Sequence, residues 1–181
     1  MSFSLGLGAE VSSKAKKLKR MVPSVRVAKI IMEFEALRTR AYKLPGERYY
    51  SIGYGHSGPD IKAGDTISEY DAVVLLGTDV LEFGKGVFRL LKRQPTQNQF
   101  DAMVSLAFNV GVARFATSTI LNKFNQGLDD EASEAFLLYT KARGPDGKLK
   151  PLPGLEKRRA REKEIFMEPD GDLFAPQGGV V

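Results

Sequence analysis

Glu35, followed at a short distance by Ser51-Ile52-Gly53-Tyr54-Gly55-His56, is the part of the chain best suited to chemistry. A carboxylic acid can protonate the oxygen that leaves when a glycosidic bond breaks. Glycines at alternate positions let a polymer lie close to backbone. An acid beside a glycine-punctuated, tyrosine-rich hairpin therefore implies a cleft able to cut a sugar polymer. Val27, Ile30, Ile31, Phe34 and Leu37 follow the three-and-four spacing of one buried stripe, which predicts a helix starting at a Ser24 cap. Glu35 lies four residues after Ile31, at the edge of that stripe, and Glu33 points to another face. A carboxyl in that place is half-shielded from water. Desolvation favours its protonated form, which a general acid needs at neutral pH. His56, the single histidine, is expected to orient the hairpin through Asp60 or Asp71.

The elements that must hold these residues can be read in outline. Leu44-Pro45-Gly46 breaks the chain. Tyr49 to His56 then reads as a strand, with Ser51, Gly53 and Gly55 on one face and Tyr50, Ile52, Tyr54 and His56 on the other. Gly58-Pro59-Asp60 is a turn, and Ile61 to Ile67 adds a short strand and loop. A helix is expected from Ser68 through Val73, Leu75, Leu76, Val80 and Phe83, weakened at Gly77 and frayed at Gly84 and Gly86. Thr96 and Gln99 form a capping box. The helix behind it carries Phe100, Met103, Val104, Ala107 and Phe108, stops near Gly111 and is the expected core. Thr117 to Gln126 is a short helix. Another runs from Asp129 or Asp130 to near Arg143, before a Gly144-Pro145-Asp146-Gly147 turn. The last helix is Pro153 to Phe166. Its Lys157, Arg158, Arg159, Arg161 and Lys163 alternate with Glu156, Glu162 and Glu164, which reads as a solvated face. The fold class is α+β, a small hairpin lobe and a mostly helical lobe with a cleft between them. The expected division is a basic N-terminal arm over 1–23, one domain over 24–167 and a loose tail over 168–181.

Bulk composition narrows the field. The 181 residues suit one domain, and 43% hydrophobic with 27% charged residues is ordinary for a globular chain. The absence of cysteine excludes disulfides and thiolate metal sites. One histidine argues against a transition-metal site, so no metal or cofactor is expected. No apolar run approaches the about 20 residues of a membrane span. Met1 to Glu10 shows no charged start and apolar core, so no cleavable leader is expected. Residues 1–29 hold seven cations against Glu10, a net of +6 out of the chain's +5. Such an arm suits an anionic polymer, or is simply a solvated leader. It lacks aromatic residues between Lys14 and Arg26 on which bases could stack, so nucleic acid is not expected as a partner.

Three motifs, spread in order over about residues 27–167, carry a family resemblance. Phe34-Glu35-Ala36-Leu37, Ala41-Tyr42-Lys43 and Ser51 to His56 resemble the start of phage-type lysozymes, glycoside hydrolase family 24. Thr96 to Gly111, with Ser118-Thr119-Ile120-Leu121 behind it, is similar to the central helix of phage endolysins. Leu152-Pro153-Gly154-Leu155-Glu156-Lys157-Arg158-Arg159 is similar to their C-terminal motif. The resemblance implies a lysozyme-like fold that hydrolyses the β-1,4 bond between N-acetylmuramic acid and N-acetylglucosamine. It puts the catalytic glutamate on Glu35 and the family's threonine on Ser51. The family's aspartate falls on Leu44, in a connecting loop one residue longer than usual. Glu47, in the same loop, is the nearest replacement carboxylate; on the surface it would instead pair with Arg48 or Lys43. Tyr54, Gly55, His56, Phe108, Asn109 and Ser118 are the expected substrate-binding residues.

The expected partner is bacterial peptidoglycan, met by a monomer without stable membrane insertion. The resemblance implies waiting in the host cytoplasm for a holin, or delivery inside a virion. Two rival readings follow from Leu44: a lytic transglycosylase working with one glutamate, and a peptidoglycan-binding module with impaired catalysis.

Overall fold

Ser24 sets the first element. Its hydroxyl accepts the Arg26 N–H at 3.2 Å and donates to Asp101, whose other oxygen accepts the Ser24 N–H at 3.0 Å. The N-terminus of the first helix is thus capped and moored to the core in one place. The computed structural model describes residues 17–143 and 147–170. Helix α1 (Val25–Phe34) buries Val27, Ile30 and Ile31, and Glu35 ends it with extended backbone.

A three-stranded antiparallel sheet follows: β1 (Arg38–Tyr42), β2 (Tyr50–Gly53) and β3 (His56–Gly58), in that order across the sheet. Tyr54 and Gly55 make the β2–β3 turn. Gly53 (φ 66°) and Gly55 (φ 97°) both adopt the left-handed backbone that a tight turn of this kind asks of glycine. The outer edge of β1 is covered as well. Ala41 donates to the Asp65 carbonyl at 2.8 Å and Ile67 to that of Thr39 at 2.9 Å. Ser51, Ile52 and Gly53 are all buried, so the expected alternation of faces fails in β2. A helix covers one side of this strand, and Ala72 Cβ would lie 3.5 Å from a Cβ at Gly53.

That helix, α2 (Glu69–Phe88), is continuous for 20 residues, about 30 Å, and links the sheet to the helical body. Its glycines are sites of close approach rather than of fraying. A Cβ at Gly84 would fall 2.4 Å from the Pro23 ring, and one at Gly86 would fall 2.9 Å from Val112. The buried stripe is Ala72, Leu76, Val80, Gly84 and Val87; the expected member Val73 is 43% exposed. Helix α3 (Gln97–Val110) has the capping box, with Thr96 and Gln99 exchanging two 3.1 Å hydrogen bonds. It is buried from Gln99 to Ala107 and forms the centre of the core.

Around α3 pack α4 (Val112–Ala116), α5 (Thr119–Asn125), α6 (Asp129–Ala135) and α7 (Pro153–Met167). Two expectations are corrected here. The helix from Asp129 does not reach Arg143. It ends at Ala135, tightens into a 3-10 turn (Phe136–Leu138) and gives way to a second hairpin, β4 (Lys141–Arg143) with β5 (Leu149–Pro151). Helix α7 is not a solvated face either. Arg158, Arg159, Glu162, Ile165 and Phe166 recur at helical spacing and are buried, three of them charged. The arm from Lys17 onward lies on the body. Leu18 and Met21 pack on the core, and Gln94 bonds both the N–H and the carbonyl of Lys19. Residues Glu168 to Asp170 return to the start of α3, where the Asp170 carboxylate accepts the N–H groups of Gln97 and Asn98. The arm's Lys14 and Lys16 and the tail beyond Asp170 lie outside the described residues. Among the described residues no helix is long and apolar enough to cross a membrane.

Candidate active site

Glu35 stands where α1 gives way to β1, so a rigid helix end aims its side chain. Two hollows meet at it. One, of about 760 Å³, is walled by β1, Leu44 and Gly55. The other, of about 390 Å³, is lined by Phe34, Asn109, Arg158 and the Leu152–Leu155 turn. A third, of about 600 Å³, shares Asn109, Leu152 and Leu155 with the second and is closed by Arg114, Tyr139 and Lys141. Glu35 therefore sits within a groove that runs from the sheet to the β4–β5 hairpin, the shape a chain polymer needs. The Leu152-Pro153-Gly154-Leu155 motif opens onto it. No side chain caps the N-terminus of α7, Pro153 starts its first turn, and a Cβ at Gly154 would meet nothing within 4 Å. The positive end of a 15-residue helix thus faces the groove beside Glu35.

The Glu35 side chain is 31% exposed, and its Oε1 lies 2.6 Å from Nη1 of Arg158, which is 2% exposed. The obvious nearby partners, Arg38 and Arg40, do not take it. Arg158 is 123 residues away in sequence, in the charged run of α7 that reads as a solvated face.

Ser51, buried in β2, faces Tyr42 across the β1–β2 pair. The two are cross-strand partners, which sets their hydroxyl side chains side by side. Burial, then the charge of Glu47, then that of Glu35 hold the Tyr42 hydroxyl above its usual pKa, against Arg38 and Ser51. Tyr42 thus keeps its proton and lies in the field of both carboxylates. In the sequence Tyr42 stands out only as part of the Ala41-Tyr42-Lys43 motif. Glu47 closes its own loop: its Oε2 accepts the Leu44 N–H at 3.0 Å, and its N–H bonds the Leu44 carbonyl at 3.1 Å. Arg48 and Lys43 stack on Tyr49 and Tyr50 instead of pairing with it. Oε1 of Glu47 has no protein partner among the described residues. Leu44 itself is 56% exposed and lines the groove.

Of the other expected binding residues, Gly55 lines the sheet end of the groove and Asn109 its middle. Tyr54 packs half-buried on the core, and Phe108 leans on Phe83 with ring centroids 5.1 Å apart. Ser118 is buried as the cap of α5, accepting the Leu121 N–H at 3.1 Å. It borders a separate hollow that shares no residue with the groove.

Both nitrogens of His56 are engaged: Nδ1 lies 2.9 Å from Asp79 and Nε2 lies 3.2 Å from Asp60. Asp71, one of the two expected partners, bonds Ser68 instead. Burial alone would depress the His56 pKa, but the bond and charge of Asp79, then those of Asp60, outweigh it and leave it raised. A raised folded-state pKa gives stability that is fully present below the ordinary histidine value and is lost as pH rises through the folded value. On the acid side, burial raises the Asp79 pKa more than His56 lowers it, so that carboxylate protonates early and closes the window. Asp79→Asn is expected to cost about 1–3 kcal/mol near pH 6, with a smaller difference from wild type above about pH 8. Thermal melts across pH test this; a difference that stays constant would refute it.

A family model described as phage lysozyme matches residues 32–162. The endolysin of Bacillus phage B103 is 47% identical over 139 residues, 76% of this chain and 51% of that protein. The endolysin of Acyrthosiphon pisum secondary endosymbiont phage 1 is 40% identical over 137 residues, 76% of this chain and 92% of that protein. The chain spans about half the length of the first curated relatives it matches. Among solved structures, the muramidase domain of SpmX from Asticaccaulis excentricus aligns with a TM-score of 0.76 at 37% identity. That alignment covers 83% of this chain and 100% of the domain.

Proposed function

The chain belongs to the phage lysozyme family, and from that premise we propose that it cuts peptidoglycan at the β-1,4 bond between N-acetylmuramic acid and N-acetylglucosamine. One observation carries the reading: Glu35, at the end of α1, lines one groove with Tyr42, and Tyr42 pairs across the sheet with the buried Ser51. In the proposed step Glu35 protonates the glycosidic oxygen. Water held by the free oxygen of Glu47 beside the Ser51 and Tyr42 hydroxyls attacks the sugar as positive charge builds on it and gives its proton to Glu47. Mass spectrometry of fragments released from purified peptidoglycan tests this. New reducing N-acetylmuramic acid ends support it, and an undigested sacculus would end it.

Leu44 favours one second reading. With an apolar side chain where the family has a carboxylate, the muramic acid's own hydroxyl could attack in place of water. The products would then be 1,6-anhydro sugars, one water lighter.

The groove's charge suits a substrate with acidic side branches. Arg38, Arg40 and Lys43 line its sheet end, and among the described residues none of them pairs with a carboxylate. Stem peptides of peptidoglycan carry carboxylates that such cations attract. Arg40→Glu is expected to raise KM about three- to tenfold at low salt, with the effect fading toward 0.5 M, where screening is about twice as short-ranged as at 0.1 M. An effect on kcat alone, indifferent to salt, would contradict this.

A further inference from the structure

The carboxyl of Glu35 faces the groove, but what holds it lies behind, in the body. Arg158 spreads its guanidinium over three acceptors: Glu35 Oε1 at 2.6 Å, Glu162 Oε1 at 3.1 Å and the Ser105 carbonyl at 3.3 Å. Glu162 is fully buried. Its Oε1 also accepts the Ser105 hydroxyl at 2.7 Å and Nη2 of Arg159 at 3.0 Å. Arg159 is fully buried too, and its Nη1 meets no acceptor among the described residues. The cluster is two guanidinium groups and two carboxylates; Glu35 is its one substantially exposed member, and Arg158 touches the groove wall.

Stability does not ask for such a cluster. Taking ions out of water is costly, and apolar side chains of similar volume fill a core as well or better. A buried donor without a partner adds to the cost. What the cluster does supply is one arrangement. A guanidinium is a rigid planar fork, and two of its edges are already taken, by a carboxylate one turn along the same helix and by the backbone of α3. The third edge can then point only toward Glu35. Glu162 contributes nothing to the groove wall, whereas Arg158 does.

We propose that Glu162 is a positioning residue that acts through Arg158 to fix the Glu35 carboxyl against the groove. This rests on the reading of Glu35 as general acid. Such an acid must stand within hydrogen-bond reach of the oxygen it protonates, and a displacement of about 1 Å can cost about a hundredfold in rate. Glu162 also balances the second guanidinium of the cluster, so its charge and its geometry serve the same end.

The experiment is steady-state kinetics of Glu162→Gln on solubilised peptidoglycan, with thermal melts of each variant. The expected result is a kcat lower by about ten- to a hundredfold, with KM within about twofold of wild type. In an Arg158→Gln background the same substitution is expected to add no further loss, because its route to Glu35 is gone. An unchanged kcat in folded Glu162→Gln, or losses that multiply in the double variant, overturns the proposal. Should Glu162→Gln fail to fold, Arg158→Lys carries the test. Its ammonium keeps the charge but cannot bridge two carboxylates as a fork does, so kcat is expected to fall with KM kept; wild-type kcat would overturn the proposal. Glu35→Gln is run beside them. If it is active, the general-acid reading fails; if it is inactive while Glu162→Gln turns over normally, only the positioning role fails.

Discussion

Glu35→Gln is expected to lower turnover of peptidoglycan by about 10²–10⁴-fold, the range that general acid catalysis supplies. The substitution removes the dissociable proton and little else. A glutamine side chain has nearly the same shape, and its carbonyl oxygen can still accept the Arg158 N–H that lies 2.6 Å from Oε1 in the native protein. What is lost is the charge of a pair whose acidic member is about a third exposed. Arg158 keeps Glu162 and the Ser105 carbonyl as partners, so that loss is expected to cost about 1–3 kcal/mol of stability. Activity and stability are thus expected to separate. Zymography and a thermal melt of the same preparation show it, and a Glu35→Gln protein that clears the gel at the wild-type rate would sink the assignment.

Glu47→Gln is expected to have the next largest effect, a fall of about 10²-fold in kcat with KM little changed. Its loop should survive, because glutamine can accept the Leu44 N–H as Glu47 Oε2 does at 3.0 Å. The missing element would be a negative charge near the developing oxocarbenium ion and a base for the attacking water. Fragment analysis gives the experiment a second edge. Undiminished activity with hydrolysed products would remove Glu47 from the mechanism. Undiminished activity with products one water lighter would favour the single-glutamate transglycosylase that Leu44 leaves open. The exposed position of Glu47 is consistent with either role, because a base that loads water must be reached by it.

Much of the scaffold could be read from neighbouring residues. The Ser24 cap and the Thr96–Gln99 box act over two to four positions, and the structure has both; Gly53 and Gly55, expected inside one strand from Tyr49 to His56, instead turn the chain between β2 and β3. Readings that relied on residue type alone went astray. Gly84 and Gly86 resemble helix breakers until Pro23 and Val112 are seen packed where a side chain would be. Five cations on α7 resemble a wet surface until Arg158 and Arg159 are found buried. The stretch from Thr140 to Pro151 has turn residues at its centre, but only pairing between its two arms makes it a hairpin.

The candidate site divides along the same line. The chain by itself determined that an acid ends an amphipathic helix and that a glycine-marked hairpin follows, because these are properties of short segments; that the family's aspartate falls on Leu44 is what the resemblance implies. Only the tertiary structure decided which cation meets that acid, which aspartate meets His56, and that Tyr42 lies in the field of two carboxylates. Glu35 has Arg38 and Arg40 close by in sequence but bonds Arg158, 123 residues away. His56 has Asp60 four residues on, yet its tighter bond is to Asp79. The physical reason is common to both. A buried or half-buried charge takes whichever partner the packing of helices brings within about 3 Å, since leaving it unpaired costs several kcal/mol, and sequence distance has no part in that cost.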